Sequence, residues 1–173
     1  MKFFVSIILI SLMVASCKKD NLINNDTAST KISFKINGVY YELTGEMTYN
    51  PLPVTGCRAS YMPASNIQPS TLGIEYVENT NQVFGISIIN ASTSSGNYPL
   101  TYQSQYYGDF YIFRGGGPYI LADTQTHGPN ALQINYTITN NRLNGTFSGT
   151  IKDFNFISFD LTEGKIQHVP VIQ

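Results

Sequence analysis

Apolar and polar side chains alternate along most of this chain with a period of two. The clearest stretch runs Leu132, Ile134, Tyr136 and Ile138 against Gln133, Asn135, Thr137 and Thr139, the signature of a β-strand with one face buried and one face wet. The same alternation recurs at Ile32, Phe34 and Ile36; at Leu72, Ile74 and Tyr76; at Phe84, Ile86 and Ile88; at Gly145, Phe147, Gly149 and Ile151; and at Ile157, Phe159 and Leu161. No window carries a helical stripe of comparable length. Asn37-Gly38 separates Ile36 from Val39 and suits the positive φ angles of a type I′ turn, which predicts a tight hairpin over 31–43. Glu78-Asn79-Thr80-Asn81 and Asn140-Asn141 mark two more turns. Short strands joined by turns, with no crossover helices, predict an all-β domain: an antiparallel β-sandwich or lipocalin-like open barrel of about eight to ten strands. Residues 49–70 hold four Pro and several small residues. They read as a long loop or an irregular edge strand open to pairing with another chain.

The amino-terminal stretch departs from this pattern. Lys2 precedes an apolar run over 3–14 and the small residues Ala15 and Ser16, the layout of a secretory signal peptide. Twelve residues are too few to cross a membrane core that needs about 20 in a helix. Val14-Ala15-Ser16-Cys17 resembles a lipobox, in which the Cys thiol receives a diacylglycerol, the signal is cut and the new amino terminus is acylated, for example with palmitate. Two or three acyl chains on Cys17 would anchor the chain stably, since each buried methylene adds about 0.8 kcal/mol. The chain thus divides into a signal peptide over 1–16, a lipidated Cys17 with a polar tether over 17–30, and one β domain over 31–173. In the tether, Asp26-Thr27-Ala28 resembles an acidic-hydroxyl-small O-glycosylation site, with Thr27 as the acceptor.

Composition narrows the functional classes. Charged residues are 12% of the chain against roughly 25% in an average globular protein. Ten Lys and Arg offset eleven Asp and Glu, leaving nothing to attract a phosphate backbone, so nucleic acid is not an expected partner. With lipid on Cys17, Cys57 has no partner in the chain, and it reads as a small buried hydrophobe.

Motifs for chemistry are sparse. His127 and His168 lack a ligand at metal spacing, and no metal or other cofactor is expected. Gly145-Thr146-Phe147-Ser148-Gly149 places its Ser one position late for a nucleophile elbow, on the polar side of a strand. Carboxylate pairs are conceivable at Asp109 with Asp123, if their strands are neighbours, and at Asp153 with Asp160. No residue is assigned a catalytic role.

The unusual feature is aromatic: Tyr102, Tyr106, Tyr107, Phe110, Tyr111, Phe113 and Tyr119 flank the Arg114-Gly115-Gly116-Gly117-Pro118 segment. Strand parity puts Phe110 and Ile112 on one face and Tyr107, Tyr111 and Phe113 on the other. Cross-strand aromatic pairing is one reading. The other is a ligand platform of Tyr107, Tyr111, Phe113, Arg114 and Tyr119.

Ile36-Asn37-Gly38, Gly96-Asn97-Tyr98-Pro99-Leu100, Asn144-Gly145-Thr146-Phe147-Ser148-Gly149-Thr150 and Leu161-Thr162-Glu163-Gly164-Lys165-Ile166 follow one another in an order that resembles the small all-β lipoproteins of Bacteroidota. The Cys17-Lys18-Lys19-Asp20 start is similar to their mature amino termini. The resemblance implies a lipid-anchored outer-membrane protein, on the periplasmic side or the cell surface, and carries no catalytic residue. The expected role is a non-catalytic binding or interaction domain for a glycan or an envelope protein. An envelope polymer hydrolase and a lipocalin-like carrier of an apolar ligand are the alternatives.

Overall fold

The structure, a computed structural model, describes residues 29–47, 54–101, 109–113, 118–123, 131–152 and 157–173. These form β1 (Lys31–Ile36), β2 (Val39–Thr44), β3 (Gly56–Met62), β4 (Thr71–Glu78), β5 (Asn81–Ile89), β6 (Ser95–Thr101), β7 (Asp109–Phe113), β8 (Pro118–Asp123), β9 (Ala131–Thr139), β10 (Arg142–Lys152) and β11 (Ser158–Ile172). No helix occurs among the described residues. The expected all-β architecture is found, as a single curled, open sheet. Nine strands lie on one path, β6-β9-β10-β11-β3-β4-β5-β7-β8, and the β1–β2 hairpin pairs beside it on β11.

Local chemistry explains the sharp reversals. Asn37 and Gly38 have φ of 48° and 81°, and Asn79-Thr80 and Asn140-Asn141 repeat the pattern at 50° and 68° and at 51° and 56°. Positive φ at two successive positions is the type I′ geometry, whose twist matches that of the flanking strands. Asn tolerates this region through local side-chain hydrogen bonding.

β11 holds the two halves of the sheet together. Its register with β10 shifts between Leu143 and Gly145 and again between Phe147 and Gly149, and its own Glu163 and His168 have φ of 54° and 51°. Such irregularities bend a strand and increase its twist. Bent in this way, β11 pairs with β10 and β1 along most of its length, then sets Val171 and Ile172 in parallel against Ala59 and Ser60 of β3. This parallel seam joins β2-β1-β11-β10-β9-β6 to β3-β4-β5-β7-β8.

Curling brings the inner faces of the halves together. Phe34 of β1 stacks on Phe84 of β5 at 5.0 Å between ring centroids, meets Phe110 of β7 edge-on at 6.5 Å and Phe147 of β10 at 5.9 Å. Around these rings Ile32, Ile74, Ile86, Ile134, Leu143 and Leu161 are essentially sealed from water. At one end, Ser92 N–H donates to the hydroxyls of Tyr98 (2.8 Å) and Tyr136 (3.0 Å), and the Tyr136 hydroxyl donates to Ser92 C=O at 2.7 Å. That network pins the β5–β6 connection over the core.

Two expectations are corrected. Residues 49–70 contain β3, which lies between β11 and β4 rather than at an edge. Its inward residues, Cys57 and Ala59, are fully buried, and the ends of the path are β6 and β8. Ile157 is exposed and precedes the strand, so the inward face of β11 begins later, with Phe159 partly buried against the core and Leu161 fully buried.

Candidate functional site

The outer face of β3-β4-β5-β7 carries a polar groove of about 310 Å³ lined by Ser60, Gly73, Glu75, Gln82, Ser87 and Tyr111. The register builds it. Arg58 stands opposite Glu75, Glu75 opposite Gly85, and Gly85 opposite Tyr111. The next outward row runs Ser60, Gly73 and Ser87. Two of the central positions are therefore glycines, and the missing side chains form the depression. The Tyr111 ring lies across Gly85, where a Cβ would come within 2.0 Å of the ring. Aromatic cover over a strand glycine restores the packing that the glycine lacks.

Glu75 is the most covered acid on this face, 9% exposed. One carboxylate oxygen accepts from Arg58 Nε and the other from Gln82 Nε2. Both oxygens are thus held in fixed positions by neighbouring strands, a preorganised arrangement that costs little entropy on binding. The Tyr111 hydroxyl is pushed to a higher pKa, first by burial, then by the negative charge of Glu75, with Arg58 opposing and Asp109 adding. At neutral pH it is an uncharged hydroxyl. The groove therefore sets an aromatic ring and serine hydroxyls beside an oriented carboxylate, which suits a ligand with an apolar face and several hydroxyl groups.

Of the predicted platform, Tyr111 faces away from the core while Phe110 and Ile112 are buried in it, as strand parity required. Phe113 and Tyr119 fall in β7 and β8 with side chains outside the described residues, and Tyr107 and Arg114 lie wholly outside them, as do Cys17, Thr27, His127 and Asp153. Asp109 and Asp123 are direct cross-strand partners in β7 and β8. His168 is exposed and contributes through its backbone: its N–H donates to Asn144 Oδ1 at 2.9 Å, and its C=O accepts from Thr30 Oγ1 at 3.0 Å. Cys57 is fully buried, with its thiol 3.5 Å from Leu43 C=O; burial pushes that thiol up to about 12. No group of three or more His, Cys, Asp and Glu able to hold a metal occurs among the described residues.

The sequence reading passed over Arg58, Glu75 and Gln82. Arg58 and Glu75 sit at outward positions of alternating strands, while Gln82 has the parity of the inward Phe84 and meets Glu75 across the register shift between Tyr76 and Val77. Only the pairing of β3, β4 and β5 brings the three together. Compared with known proteins, the chain matches no family model, no curated protein and no solved structure.

Proposed function

We propose that this chain is a cell-envelope lipoprotein of the Bacteroidota type, anchored by acyl chains on Cys17 to the outer membrane, whose β domain is a non-catalytic binding module. Its partner is a glycan or an envelope protein, and the groove chemistry favours the glycan. The observation that carries this reading is the Tyr111–Glu75–Arg58 row, where a half-buried ring lies beside a carboxylate held by two donors. A pyranose has an apolar face for the ring and hydroxyls for Glu75, Ser60 and Ser87. The inner space at the level of Phe34 is occupied by Phe84, Phe110 and Phe147, which favours surface binding over carriage of an apolar ligand. Thr27 in the tether is the O-glycan acceptor in this scheme.

The test is a thermal-melt screen of the mature protein, wild type and Tyr111→Ser, against oligosaccharides, peptidoglycan fragments, fatty acids and divalent metals. A ligand at one hundred times its Kd stabilises by about 2.7 kcal/mol, or several degrees for a domain of this size. An oligosaccharide shift that Tyr111→Ser abolishes supports the glycan reading. A fatty-acid response would favour the carrier, a metal response would favour a hydrolase, and a flat screen would favour a protein partner.

A further inference from the structure

We infer that the outer face of β6-β9-β10-β11 is a second ligand surface, suited to a neutral, hydroxyl-rich polysaccharide lying across the strands. It shares no residue with the Tyr111 groove and stands on different observations. Two cavities of about 470 Å³ and 250 Å³ adjoin on this face and have Asn135, Thr146 and Lys165 in common. The register places those residues in one row that crosses the sheet: Asn97 opposite Asn135, Asn135 opposite Thr146, and Thr146 opposite Lys165. A parallel row sets Ser95 opposite Thr137 and Thr137 opposite Asn144.

Three properties point to a neutral glycan. The polar side chains lining the cavities are mostly amides and hydroxyls; the charged ones are Lys165 and Glu163, and Glu163 is held by Lys35 Nζ at 2.6 Å. Such a face offers both donors and acceptors around one charge uncompensated among the described residues, Lys165, which matches the many hydroxyls of a sugar chain better than a polymer with an anion on every unit. Secondly, the hydrogen-bonding capacity is unspent. Neither Asn135 nor Thr146 makes a side-chain hydrogen bond within the described residues, whereas the neighbouring Gln133 donates to Asn97 and Asn144 accepts from His168 N–H. Thirdly, adjacent strands lie roughly 4.8 Å apart, close to the length of one pyranose unit. A chain crossing β6, β9, β10 and β11 would meet Asn97, Asn135, Thr146 and Lys165 one ring at a time.

The experiment is affinity electrophoresis of the full mature protein, in neutral detergent, through native gels containing galactomannan, mixed-linkage β-glucan or polygalacturonate. Expected is retardation in a neutral gel, weakened at least tenfold by Asn135→Ala/Thr146→Ala and unchanged by Tyr111→Ser. Should the double variant lose its cooperative melt, Thr146→Arg fills the same cavity from an exposed position and carries the comparison. The inference is overturned by no retardation in either neutral gel, by retardation indifferent to the Asn135 and Thr146 substitutions, or by stronger retardation in polygalacturonate than in both neutral polymers. Retardation abolished by Tyr111→Ser alone would assign glycan binding to the groove and also overturn it.

Discussion

Arg58 and Glu75 stand opposite each other in β3 and β4 and form an ion pair whose carboxylate is almost sealed from water. Removing one member of such a pair leaves the other desolvated and uncompensated, at a cost of about 3 kcal/mol, whereas replacing both by apolar groups of similar size is close to neutral. Arg58→Ala is therefore expected to lower stability in urea by about 3 kcal/mol, and Arg58→Met/Glu75→Leu by clearly less. Equal losses in the two proteins would show that the pair acts as an ordinary exposed contact.

Gly85 and Gly164 look alike in sequence but differ in what a methyl group would meet. At Gly85 the obstacle is the Tyr111 ring at 2.0 Å, and at Gly164 it is the Phe147 carbonyl oxygen at 2.3 Å. A ring can swing aside, and a backbone in a ladder cannot. Gly85→Ala is expected to keep a cooperative melt within about 1–2 kcal/mol of wild type while losing the oligosaccharide response. Gly164→Ala should cost more than about 3 kcal/mol, since it separates β10 from β11. A milder effect at Gly164 than at Gly85 would contradict this geometry.

The two cysteines make the proposed anchor countable. Cys57 is fully buried and its thiol is pushed up to about 12, so the thiolate that reacts with disulfide reagents is scarce. Protein from membranes should react with no equivalent of such a reagent at pH 8 when native and with one when denatured. Two equivalents on denaturation would mean that Cys17 bears no lipid on sulfur.

Alkaline pH should weaken the fold. The unfolded Cys57 thiol loses its proton near its usual 9.0 while the folded one keeps it to about 12. Stability from this group is therefore complete below pH 9 and declines through that interval, about 1.4 kcal/mol for each unit. Tyr111 and Tyr136 are also raised, chiefly by burial, and act in the same direction from pH 10 upward. Urea midpoints measured between pH 8 and 11 should fall, and Cys57→Ala should show a shallower decline. Parallel curves for the two proteins would remove Cys57 as the cause.

The strands whose inward positions are large and branched were legible. Leu132, Ile134 and Tyr136 in β9, or Phe84, Ile86 and Ile88 in β5, announce a buried face through bulk and period alone. β3 was hidden because its inward positions begin with Cys57 and Ala59, small residues that carry little apolar contrast, and because prolines flank it. β11 was read as shorter pieces because the irregularities at Glu163 and His168 reset its alternation. At the candidate site, the outward turn of Tyr111 followed from parity with Phe110. The meeting of Arg58, Glu75 and Gln82 did not, because it depends on a register set between strands that the sequence does not align.

The partnership of β1 with β11 sets an order of events. Lys31 is paired with Gln167, and Thr30 with the backbone of His168, across almost the entire length of the domain. Emerging amino terminus first, the chain has no partner for β1 beyond its own hairpin until the last strand is made, and the seam with β3 waits for Ile172. A two-stranded hairpin alone is marginal in water, so closure is a late event dominated by distant contacts, the slow class of folding reaction. Until β11 is in place the two halves of the sheet remain separate, and removing Val171 and Ile172 should leave them unjoined at β3.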